Sequence, residues 1–262
     1  MKIVVCIKQV PDTTEVKLNP KTNTLIREGV PSIINPDDKA GLEKALQLRE
    51  QVGGTVSVVC MGPPQADKAL REALAMGADH AYLLSDRRFG GSDTYATAVI
   101  ISAALLKIGF DLVITGRQAI DGDTAQVGPQ IAEHLHIPQI CYAKEIKVEE
   151  DYLIVERQFE HQTYILKVNH PCLITALSEM SSPRYMSVKG IVDAYNKTVT
   201  IWGFDDLKEQ FNPDFIGLNG SPTNVFLSFG KHLHTPGTIL NNVTVDEAVN
   251  ALINKLVQRH FI

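Results

Sequence analysis

An apolar run, Leu112-Val113-Ile114, breaks into the polar stretch Gly116-Arg117-Gln118-Ala119-Ile120-Asp121-Gly122-Asp123-Thr124, and a helical pattern resumes with Val127, Ile131 and Leu135. A strand, a loop and a helix N-terminus in that order suit a phosphate. Glycines let the backbone approach a ligand, a Thr124 or Asp123 side chain caps the helix, and the N–H groups of its first turn point at an anion. The ligand this chemistry suggests is a nucleotide. The spacing matches neither the G-x-G-x-x-G fingerprint nor the P-loop, so the residues alone also fit a solvated loop with a helix cap.

A second stretch, Ser85-Asp86-Arg87-Arg88-Phe89-Gly90-Gly91-Ser92-Asp93-Thr94, reads as a loop in which Ser92 or Asp93 caps the following helix. The glycine pair before that helix is a second anion-ready site, and Arg87 and Arg88 are suited to meeting a phosphate bidentately.

These loops need elements to hold them. Lys2 to Ile7 reads as a buried strand, and Val16 to Leu18 with Leu25 to Arg27 as an inserted hairpin. Asn35-Pro36 gives an N-cap and a first-turn proline for a helix that ends near Gly53-Gly54. Strands at Thr55 to Cys60, Ala81 to Leu84 and 111 to 115 alternate with helices around Ala66 to Met76, Thr94 to Ile108 and up to Leu135. Such alternation predicts an α/β fold, a doubly wound, Rossmann-like parallel sheet covered on both faces. Ligands of such sheets sit beyond the carboxyl ends of the strands, near a switch in strand order. Cys6 to Pro11, Asn35 to Asp38, Met61 to Pro63 and Gly116 to Val127 are therefore expected to converge on one nucleotide.

From about Gln139 the pattern changes to short strands at Glu145 to Val148, Tyr152 to Arg157, Tyr164 to Val168 and Cys172 to Thr175, expected to be an antiparallel extension. Beyond Tyr185 the signal weakens through a Gly/Pro/Asn-rich stretch from Asn212 to Asn242, until Thr244-x-x-Glu247 opens an amphipathic helix with Ala248, Leu252 and Leu256. The expected division is a nucleotide-binding domain over 1–190 and a C-terminal arm over 191–262 that packs on a partner chain.

Composition narrows the classes. The formal charge of −5 over 262 residues is dispersed, and no Lys/Arg stripe tracks a nucleic acid backbone. Cys6, Cys60, Cys141 and Cys172 lie far apart in apolar runs, which fits reduced, buried thiols and neither a zinc spacing nor a disulfide framework. No segment approaches the ~20 apolar residues of a membrane helix, so no membrane insertion and a cytoplasmic location are expected. The His134/His136 and His232/His234 pairs lack nearby acidic or thiol ligands, and no metal is expected.

The run from Gly116 to Pro129 resembles the nucleotide loop of the beta (small) subunit of electron transfer flavoproteins. Ile7-Lys8-Gln9-Val10-Pro11-Asp12, Asn35-Pro36 with Glu43, Met61-Gly62-Pro63, Ala73 to Asp79 and Ser182-Pro183-Arg184-Tyr185 extend the resemblance in family order. It implies an adenine nucleotide held by Gly116, Arg117, Gln118, Ala119, Ile120, Asp121, Gly122, Asp123, Thr124, Ala125, Gln126 and Val127, largely through backbone amides. Cys6, Asn35, Pro36, Asp37, Asp38 and Met61 complete that implied pocket.

The 85–94 phrase resembles the electron-bifurcating branch, in which the beta subunit carries FAD in place of AMP; Arg87, Asp93 and Thr94 then join the FAD site. That branch implies NADH as hydride donor, and electrons passed to ferredoxin or flavodoxin and, through FAD in the large (alpha) subunit, to an acyl-CoA dehydrogenase or related flavoenzyme. A region of about 175–189 resembles the family's partner-recognition loop, with Met180 as an exposed apolar anchor. Two other readings stand beside this one: a non-bifurcating carrier subunit with structural AMP, and an adenine-nucleotide-binding regulatory protein.

Overall fold

Val, Leu and Ile dominate the short apolar runs, and these become strands buried on both faces; the longer Ala- and Leu-rich segments between them become helices. The structure, a computed structural model, describes residues 1–12, 31–223 and 237–262. The expected hairpin at 16–27 and the His232/His234 pair lie outside the described residues. Contacts divide the chain into a unit spanning Met1–Asn224 and a second spanning Val225–Ile262.

In the first unit β1 (Lys2–Cys6) leads into a two-stranded antiparallel ribbon of β2 (Gln9–Pro11) and β3 (Ser32–Ile34). Then come α1 (Pro36–Val52), β4 (Thr55–Met61), α2 (Asp67–Met76), β5 (His80–Leu84), α3 (Thr94–Ile108), β6 (Leu112–Gly116) and α4 (Val127–Leu135). The remainder is β7 (Gln139–Val148), β8 (Tyr152–Phe159), β9 (Gln162–Asn169), β10 (Cys172–Ala176), α5 (Val188–Asn196), β11 (Val199–Trp202), α6 (Phe204–Leu207) and α7 (Gly217–Gly220). The main sheet has nine strands in the order β11-β5-β4-β1-β6-β10-β7-β8-β9, parallel from β11 to β7 and antiparallel from β7 to β9.

Alternation along β1 sorts the core into two layers. Ile3, Val5 and Ile7 pack with Leu42 and Leu46 of α1 and Leu70 of α2, whereas Val4 and Cys6 pack with Ile100 of α3 and Ile131 of α4. Cys6, Cys60 and Cys172 are free and buried; Cys141 is only half-buried.

Three expectations are corrected here. Cys172–Ala176 is not antiparallel: β10 inserts parallel between β6 and β7, in register from Cys172↔Leu112 to Ala176↔Gly116. All five of its residues are buried, as a central strand requires. The boundary at 190 is also displaced, because residues 191–223 belong to the first unit. There β11 extends the sheet beside β5, and Arg71 Nη1 of α2 donates to the Ala194 and Lys197 carbonyls at the end of α5, at 2.7 and 2.6 Å. Lastly, Met180 is not an exposed anchor: it is 5% exposed and packs in the α1-side core. The exposed apolar side chains of this stretch are Tyr185 and Met186, followed along α5 by Val188, Val192 and Tyr195.

The second unit carries α8 (Val245–Gln258), opened by the expected capping box: Thr244 Oγ1 accepts from the Glu247 N–H, and Glu247 Oε2 accepts from the Thr244 N–H. Its Val245, Val249, Leu252, Ile253 and Val257 are exposed. No helix among the described residues is long and apolar enough to cross a membrane.

Candidate functional site

Strand order reverses between β1 and β6, since the chain leaves β1 toward β4 and β5 and returns through α3 to β6 on the other side. At such a reversal the connections diverge and leave a crevice at the carboxyl ends. A cavity of about 1100 Å³ lies there. Its walls come from Cys6–Lys8 after β1, Met61–Pro64 after β4, Leu84–Thr94 after β5 and Thr115–Gly128 after β6, with Asp38 at its base.

Close packing fixes this arrangement. A Cβ on Gly116 would meet Asp38 Oδ1, with Asp37 Cβ and Asp38 N at 2.9 Å, so the first turn of α1 lies directly on the end of β6. A Cβ on Gly128 would lie 2.6 Å from Thr115 Oγ1 and 2.9 Å from Thr175 Cγ2, which seats α4 against β6 and β10. The helix N-terminus is thereby held at the crevice.

The expected cap on α4 is absent. Thr124 and Asp123 precede the helix by too far, the N-cap is Gln126, and no side chain caps it. Pro129 has no N–H and Gln130 N–H donates to the Gln126 carbonyl at 3.0 Å, so the outward donors of the first turn are those of Val127 and Gly128, both on the cavity wall. Asp123 and Ala125 adopt left-handed φ of 56° and 53°, conformations that cost ~1–2 kcal/mol per residue and gather at ligand sites. By contrast α3 is capped by Asp93, whose Oδ1 accepts from Ala96 N–H at 3.0 Å and Oδ2 from Thr223 N–H at 3.0 Å. The chain's own carboxylate therefore occupies the second anion-ready site, whereas no side chain caps the first turn of α4.

The residues singled out from sequence divide into lining and support. Cys6, Asp38, Met61, Arg87, Asp93, Thr94, Gly116–Ala119, Gly122 and Thr124–Val127 line the cavity. Asn35, Pro36, Asp37, Ile120, Asp121 and Asp123 do not. Asn35 is buried and ties the loop from behind, Nδ2 donating to the Gln118 carbonyl at 2.8 Å and Oδ1 accepting from Ile120 N–H at 3.1 Å. Pro36 starts α1, Asp37 pairs with Arg117 at 3.4 Å, and Asp123 accepts a hydrogen bond from Gln118 Nε2. The Ile120 side chain is exposed.

Lys8 was not singled out, yet its Nζ reaches Asp121 at 2.6 Å and so joins the loop after β1 to the loop after β6. Its signal was a lone lysine directly after a buried strand. Arg88 turns away from the cavity, whereas Arg87 lines it and makes no ion pair among the described residues. His134 stands edge-on to Tyr95 at 5.2 Å, and His136 terminates α4 in a left-handed conformation.

Electrostatics converge on Asp38. Its Oδ2 accepts from Lys8 N–H at 2.7 Å and its Oδ1 from Gly116 N–H at 2.9 Å, clasping the ends of β1 and β6 together. Burial raises its pKa to about 7, outweighing those donors, and Asp37 adds repulsion. Burial pushes the neighbouring Cys60 thiol up to about 12, and the Cys6 thiol higher still, so both thiols stay neutral.

Because an unfolded aspartate titrates near ~3.9, the fold holds this proton more tightly than the unfolded chain does. Stability from Asp38 is full below about pH 4 and is lost as pH rises through about 7. Urea unfolding from pH 4 to 8 should show wild type losing up to about 4 kcal/mol relative to Asp38→Asn over that window. A pH-independent difference would refute the buried titration.

A family model described as "Electron transfer flavoprotein domain" matches residues 22–207. The chain is 56% identical to the electron transfer flavoprotein subunit beta of Thermoanaerobacterium thermosaccharolyticum, over 100% of each chain. It is 53% identical to the caffeyl-CoA reductase-Etf complex subunit CarD of Acetobacterium woodii and 48% identical to the acryloyl-CoA reductase electron transfer subunit gamma of Anaerotignum propionicum, again over 100% of each.

Proposed function

The chain belongs to the electron transfer flavoprotein family, as a beta subunit of an electron-transfer complex, and from that premise we propose that its crevice binds FAD, which NADH reduces. One electron then goes to ferredoxin or flavodoxin and the other, through FAD in the large subunit, to an acyl-CoA dehydrogenase or related flavoenzyme. A flavin accepts two electrons as hydride and releases them singly, which AMP does not. The observation that carries this reading is the extent of the cavity. At about 1100 Å³ it exceeds the ~300–1000 Å³ usual for a drug-sized ligand, and it runs from the uncapped end of α4 to the 85–94 wall. A mononucleotide at α4 would leave that wall without a partner.

Within the crevice, Val127 and Gly128 N–H groups hold phosphate at the positive end of α4. The Lys8 and Arg117 charges are offset by Asp121 and Asp37, which leaves Arg87 as the lining cation with no ion pair among the described residues. Cys6, Met61 and Ile101 give apolar wall for a ring, and the adjoining Thr94 Oγ1 bonds Gln126 at 3.2 Å, linking the two wall segments.

The exposed Tyr185, Met186, Val188, Val192 and Tyr195 replace Met180 as the surface for docking the acceptor flavoenzyme. Relatives named for caffeyl-CoA and acryloyl-CoA reductases favour an acceptor that reduces an unsaturated acyl-CoA. The exposed apolar face of α8 suits the large subunit.

Acid release of nucleotide from the purified heterodimer, chromatographed against FAD and AMP standards, tests the reading. Two FAD per heterodimer is the expected result. One FAD with one AMP would make the chain a structural subunit of a simple carrier.

A further inference from the structure

Residues 85–94 form a wall that is braced from outside the cavity. Arg87 and Arg88 are consecutive in a single 3₁₀ turn, Arg87–Phe89, where successive side chains point about 120° apart. Arg87 faces the cavity and Arg88 faces the 203–223 segment. Arg88 Nη2 and Nε donate to Asp86 Oδ2 and Oδ1 at 2.8 and 3.1 Å, and Nη2 also reaches Asp205 Oδ2 at 3.0 Å. Its guanidinium lies 3.9 Å from the centre of the Phe204 ring, while Phe204 N–H donates to Asp86 Oδ2 at 2.9 Å. Further along the wall, Gly217 N–H donates to Ser92 Oγ at 3.1 Å, and Asp93 N–H donates to Ser221 Oγ at 2.8 Å.

We infer that Arg88 is a positioning residue: clamped between Asp86, Asp205 and Phe204, it fixes the turn that presents Arg87 to the nucleotide in the crevice. This rests on the reading above, in which Arg87 meets that nucleotide. The Arg88 and Asp205 side chains are 49% and 70% exposed, so their ion pair adds little to global stability. The planar fork on Asp86 and the stacked ring give the clamp direction instead, which a lysine would not reproduce.

The test is a double-mutant cycle on the heterodimer stripped of nucleotide, titrated separately with FAD and with AMP. Arg87→Ala and Arg88→Ala should each weaken the tighter-binding nucleotide roughly tenfold or more, the loss expected for a charge-assisted hydrogen bond. The double variant should be no weaker than Arg87→Ala alone, with melting temperatures close to wild type. Multiplying effects would overturn the inference, because Arg88 would then act independently of Arg87. An Arg87→Ala variant that binds like wild type would also overturn it, and would remove Arg87 from the proposed site. FAD and AMP preference in the unmutated heterodimer reports separately on the flavin reading. Should Arg88→Ala fail to fold, Asp205→Asn loosens the outer half of the clamp and completes the same cycle.

Discussion

Replacing Gly122 with glutamate should strip nucleotide from the beta subunit while leaving the fold intact. A Cβ at this position meets only Lys8 Nζ, at 4.0 Å, and the glycine does not occupy the left-handed region of φ, so the protein itself tolerates a side chain. The space a side chain would enter is the cavity. An added carboxylate near bound phosphate brings like charges together, a juxtaposition that costs several kcal/mol, equivalent to roughly a hundredfold or more in affinity. Nucleotide content of the purified heterodimer and its thermal melt are the two measurements. Full nucleotide content would show that the 116–128 loop does not hold the ligand.

Gly116 should behave in the opposite way. Here even alanine forces the first turn of α1 away from β6, because the new methyl meets Asp37 Cβ, the Asp38 backbone nitrogen and the buried Asp38 carboxyl. It also pushes apart the Gly116 N–H and Asp38 Oδ1, a 2.9 Å bond in a buried position. Overpacking with loss of that bond should cost on the order of 3 kcal/mol, enough to lower the melting temperature by about 6 °C or more in a unit of this size. Circular dichroism melts of Gly116→Ala and Gly122→Glu side by side would separate a glycine needed for packing from one needed for ligand. Equal melts would remove that distinction.

Much of the first half was readable because each element carries its own punctuation. Asn35-Pro36 opens α1, Gly53 closes it, Gly77 ends α2, and Asp93 and Gly109 bracket α3, all local signals that packing then reinforced. Strand direction has no such local code. Cys172–Ala176 follows two hairpin strands and reads as a third, yet its uninterrupted burial was the trace of a central parallel strand.

The loop residues posed a different difficulty. Side chains in a loop have no period, so nothing in the 116–126 sequence separates Gln118 and Thr124, which line the cavity, from Asp121 and Asp123, which do not. Resemblance named the stretch without saying which of its residues face the cavity. Met180 failed for a related reason: a likeness to a docking loop assigns a role to a position, and burial in one 3₁₀ turn against α1 depends on packing that no short phrase contains.

The insertion of β10 between β6 and β7 also sets an order of events during synthesis. Leu112 of β6 pairs with Cys172, so the strand that completes the middle of the sheet is made only after α4, β7 and the whole β8–β9 hairpin. Until Ala176 has emerged, β6 presents an unpaired edge and Gly128 of α4 lacks Thr175 to rest against. Pairings so distant along the chain close slowly and leave apolar edges open to aggregation meanwhile. A nascent chain that stops short of Cys172 therefore has every loop of the crevice and no rigid floor beneath them.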